Sequence, residues 1–257
     1  MYYPVQIPFA LGKAFAEHLQ YSEEIIPGYQ DFVICFWEIL SVSEEKKDIS
    51  NIIIADGCID LVMDYTQKRI GYAGMTETRF DFEVSLPSRS MGARFKPGAF
   101  HALTGLSPGT VMNGFLPIAE ADKSFDVGGL FTLPYHQAKE GFKRYVGGLI
   151  KDKPQHKFDV LFDELSADMP SSVSEIYQKL HFSPRQCQRL FRKHYGLSPQ
   201  MALCILRFQK CLALIASRKT TDILDAVNYY DQAHFINDCK RHIGITPLEL
   251  ARILKAL

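Results

Sequence analysis

One segment of this chain occurs twice, 48 residues apart, and that repeat constrains the fold more than any other feature. Arg192-Lys-His-Tyr-Gly-Leu-Ser-Pro-Gln-Met-Ala-Leu-Cys-Ile-Leu206 returns as Lys240-Arg-His-Ile-Gly-Ile-Thr-Pro-Leu-Glu-Leu-Ala-Arg-Ile-Leu254. Both copies place a basic pair, a histidine, a glycine (Gly196, Gly244) and a hydroxyl residue before proline at the same positions. The glycine takes the left-handed conformation that closes a helix. The Ser198-Pro199 and Thr246-Pro247 pairs supply an N-cap and a first helical residue. One helix therefore ends near Tyr195 and the next begins at Pro199, and the same happens at Ile243 and Pro247. Two copies are too few for a solenoid, so one small helical unit is used twice.

In the first copy Ser183-Pro184 opens the helix that ends at Tyr195. Cys187, Leu190, Phe191 and His194 share one face at i, i+3, i+4, i+7 spacing. Arg185, Gln188, Arg189 and Arg192 lie opposite, with Lys193 beside them. Long cationic and amide side chains on a docked helix suit a DNA major groove, where Arg pairs with guanine and Gln with adenine. A solvated charged face has the same composition, but the second copy repeats the design. Asp231 is expected to cap its helix, and its outward set is Gln232, Ala233, Ile236, Asn237 and Lys240, with Arg241 beside them. Thr220-Thr221 precede a short helix over Asp222–Val227, and Asn228 takes the turn. The second set is less basic, so the two helices are expected to read different bases.

Between the units, Pro199 to Ser217 is apolar almost all round, as in a helix buried between two subdomains. Its nineteen residues give a rod of about 28 Å at about 1.5 Å each, against about 34 Å between successive major-groove faces.

The net charge of zero hides a split. Residues 1–169 carry 16 Lys and Arg against 23 Asp and Glu, whereas residues 170–257 carry 13 against 6. A basic half points to a polyanion partner. The six cysteines form no C-x-x-C pair or finger spacing and read as reduced, small apolar residues. No 18-residue apolar run and no charged-then-apolar leader occur, which predicts a cytoplasmic chain with no membrane partner.

Before the repeat, the chain reads as short strands punctuated by turns: Gln30–Leu40, Ile52–Ile54, Ile59–Met63, Ile70–Gly74, Phe80–Val84 and Met91–Phe95. Phe100–Leu106 and Tyr135–Ile150 read as helices. No His-x-His pair, phosphate loop or G-x-S-x-G elbow is present, and His18, His101, His136 and His156 are scattered. Asp56 and Asp60, four apart, suit turn capping better than acid–base chemistry. Trp37, the only tryptophan, reads mainly as core and is the weak ligand-binding candidate. No catalytic residue, metal site or cofactor is expected. The polar stretch Lys151–Lys157 marks a junction near residue 155, and Phe158–Leu165 reads as a short amphipathic turn or two that fits either part of the chain.

Two resemblances follow from these residues. Phe36-Trp37, Asp56-Gly-Cys-Ile-Asp-Leu61 and Arg94-Phe-Lys-Pro-Gly-Ala-Phe100 resemble the cupin-like sensor half of AraC/XylS-type regulators, over roughly residues 27–120. Ser183-Pro-Arg-Gln-Cys-Gln-Arg-Leu-Phe-Arg-Lys193, Gly196-Leu-Ser-Pro199, Arg207, Tyr229-Tyr-Asp-Gln-Ala-His-Phe235 and Gly244-Ile-Thr-Pro247 resemble that family's double helix-turn-helix domain, over about residues 160–254. Tyr177 and Leu224 stand where the family has Ala, His181 and Asn228 where it has turn Gly, and Cys239 where it has Phe.

The resemblance implies an α+β chain. Its N-terminal part is a β-rich cupin-like barrel with helices (1–154), and its C-terminal part is an all-α double helix-turn-helix domain with a long linker helix (155–257). The implied function is a bacterial transcription regulator, an activator among the family's roles, acting on double-stranded DNA. A small-molecule effector, contact with RNA polymerase and a monomer or homodimer go with it. The alternatives are an alkyl-transfer DNA-repair enzyme with a Cys acceptor on the same DNA domain, and a scaffold whose N-terminal half only dimerises.

Overall fold

The computed structural model describes residues 2–5, 13–216 and 232–255. A short helix, α1 (Lys13–His18), leads into eight strands: β1 (Leu19–Glu24), β2 (Val33–Ser41), β3 (Asp48–Ile53), β4 (Ile59–Asp64), β5 (Arg69–Ala73), β6 (Phe80–Ser85), β7 (Arg89–Phe95) and β8 (Phe115–Pro117). Helix α2 (Ala99–Thr104) and a single 3-10 turn (Pro108–Thr110) stand between β7 and β8. The helices α3 (Ile118–Ala121), α4 (Val127–Thr132) and α5 (Tyr135–Ile150) follow.

Six strands form one antiparallel sheet in the order β1-β2-β7-β4-β5-β8, and β3 and β6 form a separate ribbon. Alternation along β4 shows why the sheet has two different faces. Ile59, Leu61 and Met63 are buried while Asp60, Val62 and Asp64 are half-buried. The apolar face packs on helices: Phe36 meets Phe142 of α5 edge-on at 6.3 Å, and Tyr72 meets Phe100 of α2 at 5.0 Å. Helix α5 presents Ala138, Phe142 and Val146 to it, one residue per turn, and Lys139 anchors it to Glu38 at 2.7 Å. The other face looks onto a cavity beside the ribbon.

From residue 157 onward the described elements are all helical: α6 (Lys157–Ala167), α7 (Val173–Leu180), α8 (Pro184–Tyr195), α9 (Pro199–Ala216), α10 (Gln232–Ile243) and α11 (Pro247–Lys255). The expected short helix over Asp222–Val227, the Asn228 turn and the Asp231 cap lie outside the described residues. Helix α6 corrects the reading of Phe158–Leu165 as a turn or two. It runs eleven residues, opened by His156 and Asp159 in a reciprocal capping box, and buries Phe158, Leu161, Phe162 and Leu165.

Those four side chains join one continuous core with the strands, α5, α7, α8 and the first half of α9. A smaller core holds Phe208, Cys211, Leu212, Ile215, Phe235, Cys239, Ile243 and Leu250 together with Ile54 from the β3–β4 loop.

Candidate nucleic-acid interface

Caps fix the start and end of α8 and the junction between α10 and α11. Ser183 and Gln186 form a capping box at the start of α8, with Pro184 in the first turn, and Gly196 closes it at φ +69°. Thr246 and Glu249 exchange the same pair of bonds at the start of α11 (2.8 and 3.3 Å), and Gly244 precedes it at φ +78°. His181, at the turn between α7 and α8, takes the left-handed conformation at φ +56°. That is a conformation histidine adopts more readily than most side chains, so the missing glycine does not open the turn.

Helices α8 and α10 are both twelve residues long and start 48 residues apart. Their exposure agrees at most of the described positions. Cys187 and Cys239 miss the pairing by four, but Cys187 pairs with Phe235, Phe191 with Cys239, His194 with His242 and Tyr195 with Ile243, all buried. Arg185 pairs with Ala233, Arg189 with Asn237, Arg192 with Lys240 and Lys193 with Arg241, all exposed. Gln188 is exposed and its counterpart Ile236 half-buried. The backbone of Gln232 opens α10, and its side chain lies outside what is described. On α8 the residues Arg185, Gln188, Arg189 and Arg192 line one open concavity with Ser183 and Gln186. Arginine and glutamine on a well-capped helix can donate to phosphates and to base edges.

Between the two helices, α9 spans 18 residues, a rod of about 27 Å. Ala202, Leu203, Ile205, Leu206, Phe208, Cys211 and Leu212 are fully buried on it. Arg207 is buried too and bonds the carbonyl oxygen of Ser171 at the foot of α7.

The first unit is fixed to the N-terminal part by an aromatic stack that the sequence did not reveal. The His194 ring lies flat on Phe158 at 4.4 Å, parallel to His156 at 5.4 Å and edge-on to His101 at 4.9 Å. Burial, with His101 and His156 nearby, lowers the His194 pKa to about 4. Tyr195 donates its hydroxyl to the Phe158 carbonyl at 2.5 Å. As expected of hydrogen-bonded histidines, His101 Nδ1 meets Leu106 O at 2.9 Å and His156 caps α6. His136 is exposed.

The cavity of the N-terminal part has an outer lobe of about 360 Å³ and an adjoining inner lobe of about 90 Å³. Trp37 lines both while only 8% exposed, so core packing and cavity wall are not alternatives for it. Its indole lies over Gly92 of the neighbouring strand, where a Cβ would stand 2.3 Å from the ring. Its Nε1 donates to Asp60 Oδ2 at 2.7 Å. Asp56 Oδ1 accepts from the Cys58 amide at 2.8 Å, the turn capping expected of it. What went unread is that both aspartates flank the buried Arg94. The one available signal was the half-buried alternation of β4, which turns Asp60 and Asp64 to the cavity.

Burial pushes the thiol of Cys35 up to about 12 and that of Cys239 to about 12, and also raises Cys58, Cys187 and Cys204. An alkyl-accepting nucleophile needs the opposite shift. No group of three or more His, Cys, Asp or Glu suited to a metal occurs among the described residues. None of the described helices is long and apolar enough to cross a membrane.

Two family models match the chain. One, described as a helix-turn-helix domain, covers residues 176–253; the other, described as a domain of unknown function (DUF6597), covers residues 27–117. Among curated proteins no sequence matches. Solved structures of similar outline include ToxT from Vibrio cholerae O395, at 10% identity and TM-score 0.42 over 93% of this chain and 98% of that one. Wild-type ToxT from V. cholerae strain SCE256 with a bound unsaturated fatty acid gives 10% identity and TM-score 0.41, over 93% and 95%. These are remote likenesses.

Proposed function

We propose that this chain is a DNA-binding transcription regulator of the AraC/XylS type, and that α8 and α10 enter successive major grooves on one side of a duplex. The observation that carries the reading is the matched exposure of the two helices: Cys187, Phe191, His194 and Tyr195 and their counterparts Phe235, Cys239, His242 and Ile243 are buried, and basic or polar residues hold most of the outward positions. A 27 Å rod falls within a residue or two's reach of the roughly 34 Å groove repeat, once long side chains extend from each end. Arg192, Lys193, Lys240 and Arg241 would meet phosphates and supply affinity; Arg185, Gln188, Arg189, Gln232 and Asn237 would meet base edges. Ala233 and Ile236 suit apolar contact with thymine methyl groups.

In this reading residues 155–257 read DNA in the cytoplasm and residues 1–154 sense a small molecule in the two-lobed cavity. The outer lobe has the volume of a small-ligand site. One chain carries both recognition helices, so a monomer suffices for one site.

Footprinting of genomic fragments with the full-length chain tests both parts. Two protected patches one helical turn apart are expected, and a small-molecule extract of cells should change their occupancy. Protection confined to a single groove would overturn the two-helix reading. Occupancy indifferent to every extract would overturn the sensing one.

A further inference from the structure

The outer lobe lies between the ribbon and the open face of the sheet. On β6 the apolar positions Phe80, Phe82 and Val84 all line it, yet Phe80 is still 39% exposed and the other two are only half-buried. Trp37 and Ile39 of β2 and Val62 of β4 line it from the sheet. Apolar side chains thus border the space from both sides.

Rings make up much of these walls. Phe80 and Phe82 lie side by side, with centroids 6.5 Å apart and planes within 22°, so two alternate positions of one strand form a single plate. On the sheet side the Trp37 indole lies over Gly92, and Phe115 lies beside Gly71, where a Cβ would stand 2.7 Å from its ring. Two missing side chains let both rings lie low and keep the lobe open. Aromatic faces and edges attract other rings beyond the area they bury. The space is about 360 Å³. A cavity of about 150 Å³ takes one benzene, so this one has room for about two fused rings and a substituent.

The charged side chains of the lobe are paired or solvated. Asp64 accepts from the Gln67 amide at 3.0 Å and pairs with Arg69 at 3.6 Å, Arg69 lies over the Phe115 ring at 5.3 Å, and Glu83 is exposed. The buried polar side chains that line it carry hydroxyls. Thr76 donates its own to the Thr78 carbonyl. Ser88 and Ser90, 5% and 9% exposed, hold their oxygens 3.3 Å apart. Among the described residues that pair has no other side-chain partner for its hydroxyls, so two donors share one bond and one is left for a guest.

We propose that the outer lobe binds an uncharged aromatic compound of about two fused rings, held between Trp37 and the Phe80–Phe82 plate with a hydroxyl or carbonyl on the Ser88–Ser90 pair. The proposal rests on the reading of this cavity as the sensing site and names its ligand class. A carboxylate or an ammonium would leave water for a lobe whose own charges are already paired or solvated. An open chain fills the volume, but it loses rotamer freedom and gains nothing from the ring faces.

The test titrates isotope-labelled full-length protein and follows the indole N–H resonance of Trp37, a single signal because the chain has one tryptophan. Four probes share one ring system: indole, 5-hydroxyindole, indole-5-carboxylate and 5-(aminomethyl)indole. Hexan-1-ol serves as an open-chain alcohol of comparable hydrophobicity. The hydroxyindole is expected to bind about threefold to tenfold tighter than indole. Both charged probes and hexan-1-ol should bind at least about tenfold more weakly than the hydroxyindole. With Ser88→Ala and Ser90→Ala combined, the hydroxyindole should fall to within about twofold of indole. A hydroxyl advantage that survives those changes, or a carboxylate, amine or open chain that binds as well as the hydroxyindole, overturns the ligand class while leaving the cavity a ligand site. Binding by none of the probes also overturns it, and the footprint with cell extract then judges the sensing role separately.

Discussion

Helices α8 and α10 have equal length, matching outward positions and the same kind of exit turn, yet what lies behind them differs. Behind α8 stands the large core, with Phe158 and Phe162 each in ring contact with Tyr195 and the His194 stack bridging to α2. Behind α10 stands a smaller core, against which Val5 and Ile52 of the N-terminal part also pack among the described residues. Ile54 enters it, Gln209 of α9 bonds the Ala55 carbonyl at 3.0 Å, and Arg79 donates to the last carbonyl of α10, on Ile243, at 3.3 Å. The more cationic helix is the more firmly held. The lesson is a division of labour. In the proposed reading the first unit would be a strongly charged anchor and the second a finer reader, on a core that meets the inner lobe of the cavity at Ile52.

The sharpest way to break this contrast is to weaken each mounting in turn. Phe162→Ala removes a side chain only 1% exposed and should cost about 3–5 kcal/mol. Because the core is shared, denaturant unfolding should lose strand and helix signals together; separate transitions would deny the anchor role. Next comes base reading. Arg189→Ala should cost roughly 1–3 kcal/mol at the target site and relax one base preference, measured by competition binding on substituted sites. Asn237→Ala should do the same one turn away and by less. Equal losses would remove the asymmetry.

Acid provides a third test. The His194 pKa lies at about 4 against an ordinary 6.5, so the unfolded chain takes up that proton first. Its contribution is therefore complete above pH 6.5 and lost as pH falls towards 4. The melting temperature should drop across that window, and His194→Gln should flatten the drop. Fourth, Lys193→Ala should lower the slope of log binding against log salt by about one and leave sequence preference unchanged. The smallest effect belongs to Arg79→Ala. Loss of one partly exposed bond should cost about 0.5–1 kcal/mol, detectable as faster hydrogen exchange at the end of α10 but not of α8.

Much of this was legible from residues alone. Helix α5 was read to its ends at Tyr135 and Ile150 because its apolar spacing is regular and uninterrupted. The exits of α8 and α10 followed from Gly, hydroxyl and Pro in fixed order. Strand β1 was missed because Leu19-Gln-Tyr-Ser-Glu-Glu24 is an edge strand with little apolar alternation to show, and β8 has only three residues. Helix α6 was underread because its periodic residues face partners on both sides of the junction, and sequence does not say with whom a buried face pairs. Arg94 was invisible as a hub for a similar reason. Its three acids come from β1, the β3–β4 loop and β4, and only the folded sheet brings them together.

The shared core also bears on how this molecule can be handled. Phe158, Leu161 and Phe162 are buried in the same core as the strands, and Lys96 is tied to Asp163 at 2.9 Å. Scissors applied between residues 154 and 155 would cut where the composition changes but through the middle of the hydrophobic interior. A C-terminal fragment made that way would carry a raw, greasy flank where its neighbour had been, and would tend to clump before it met any duplex.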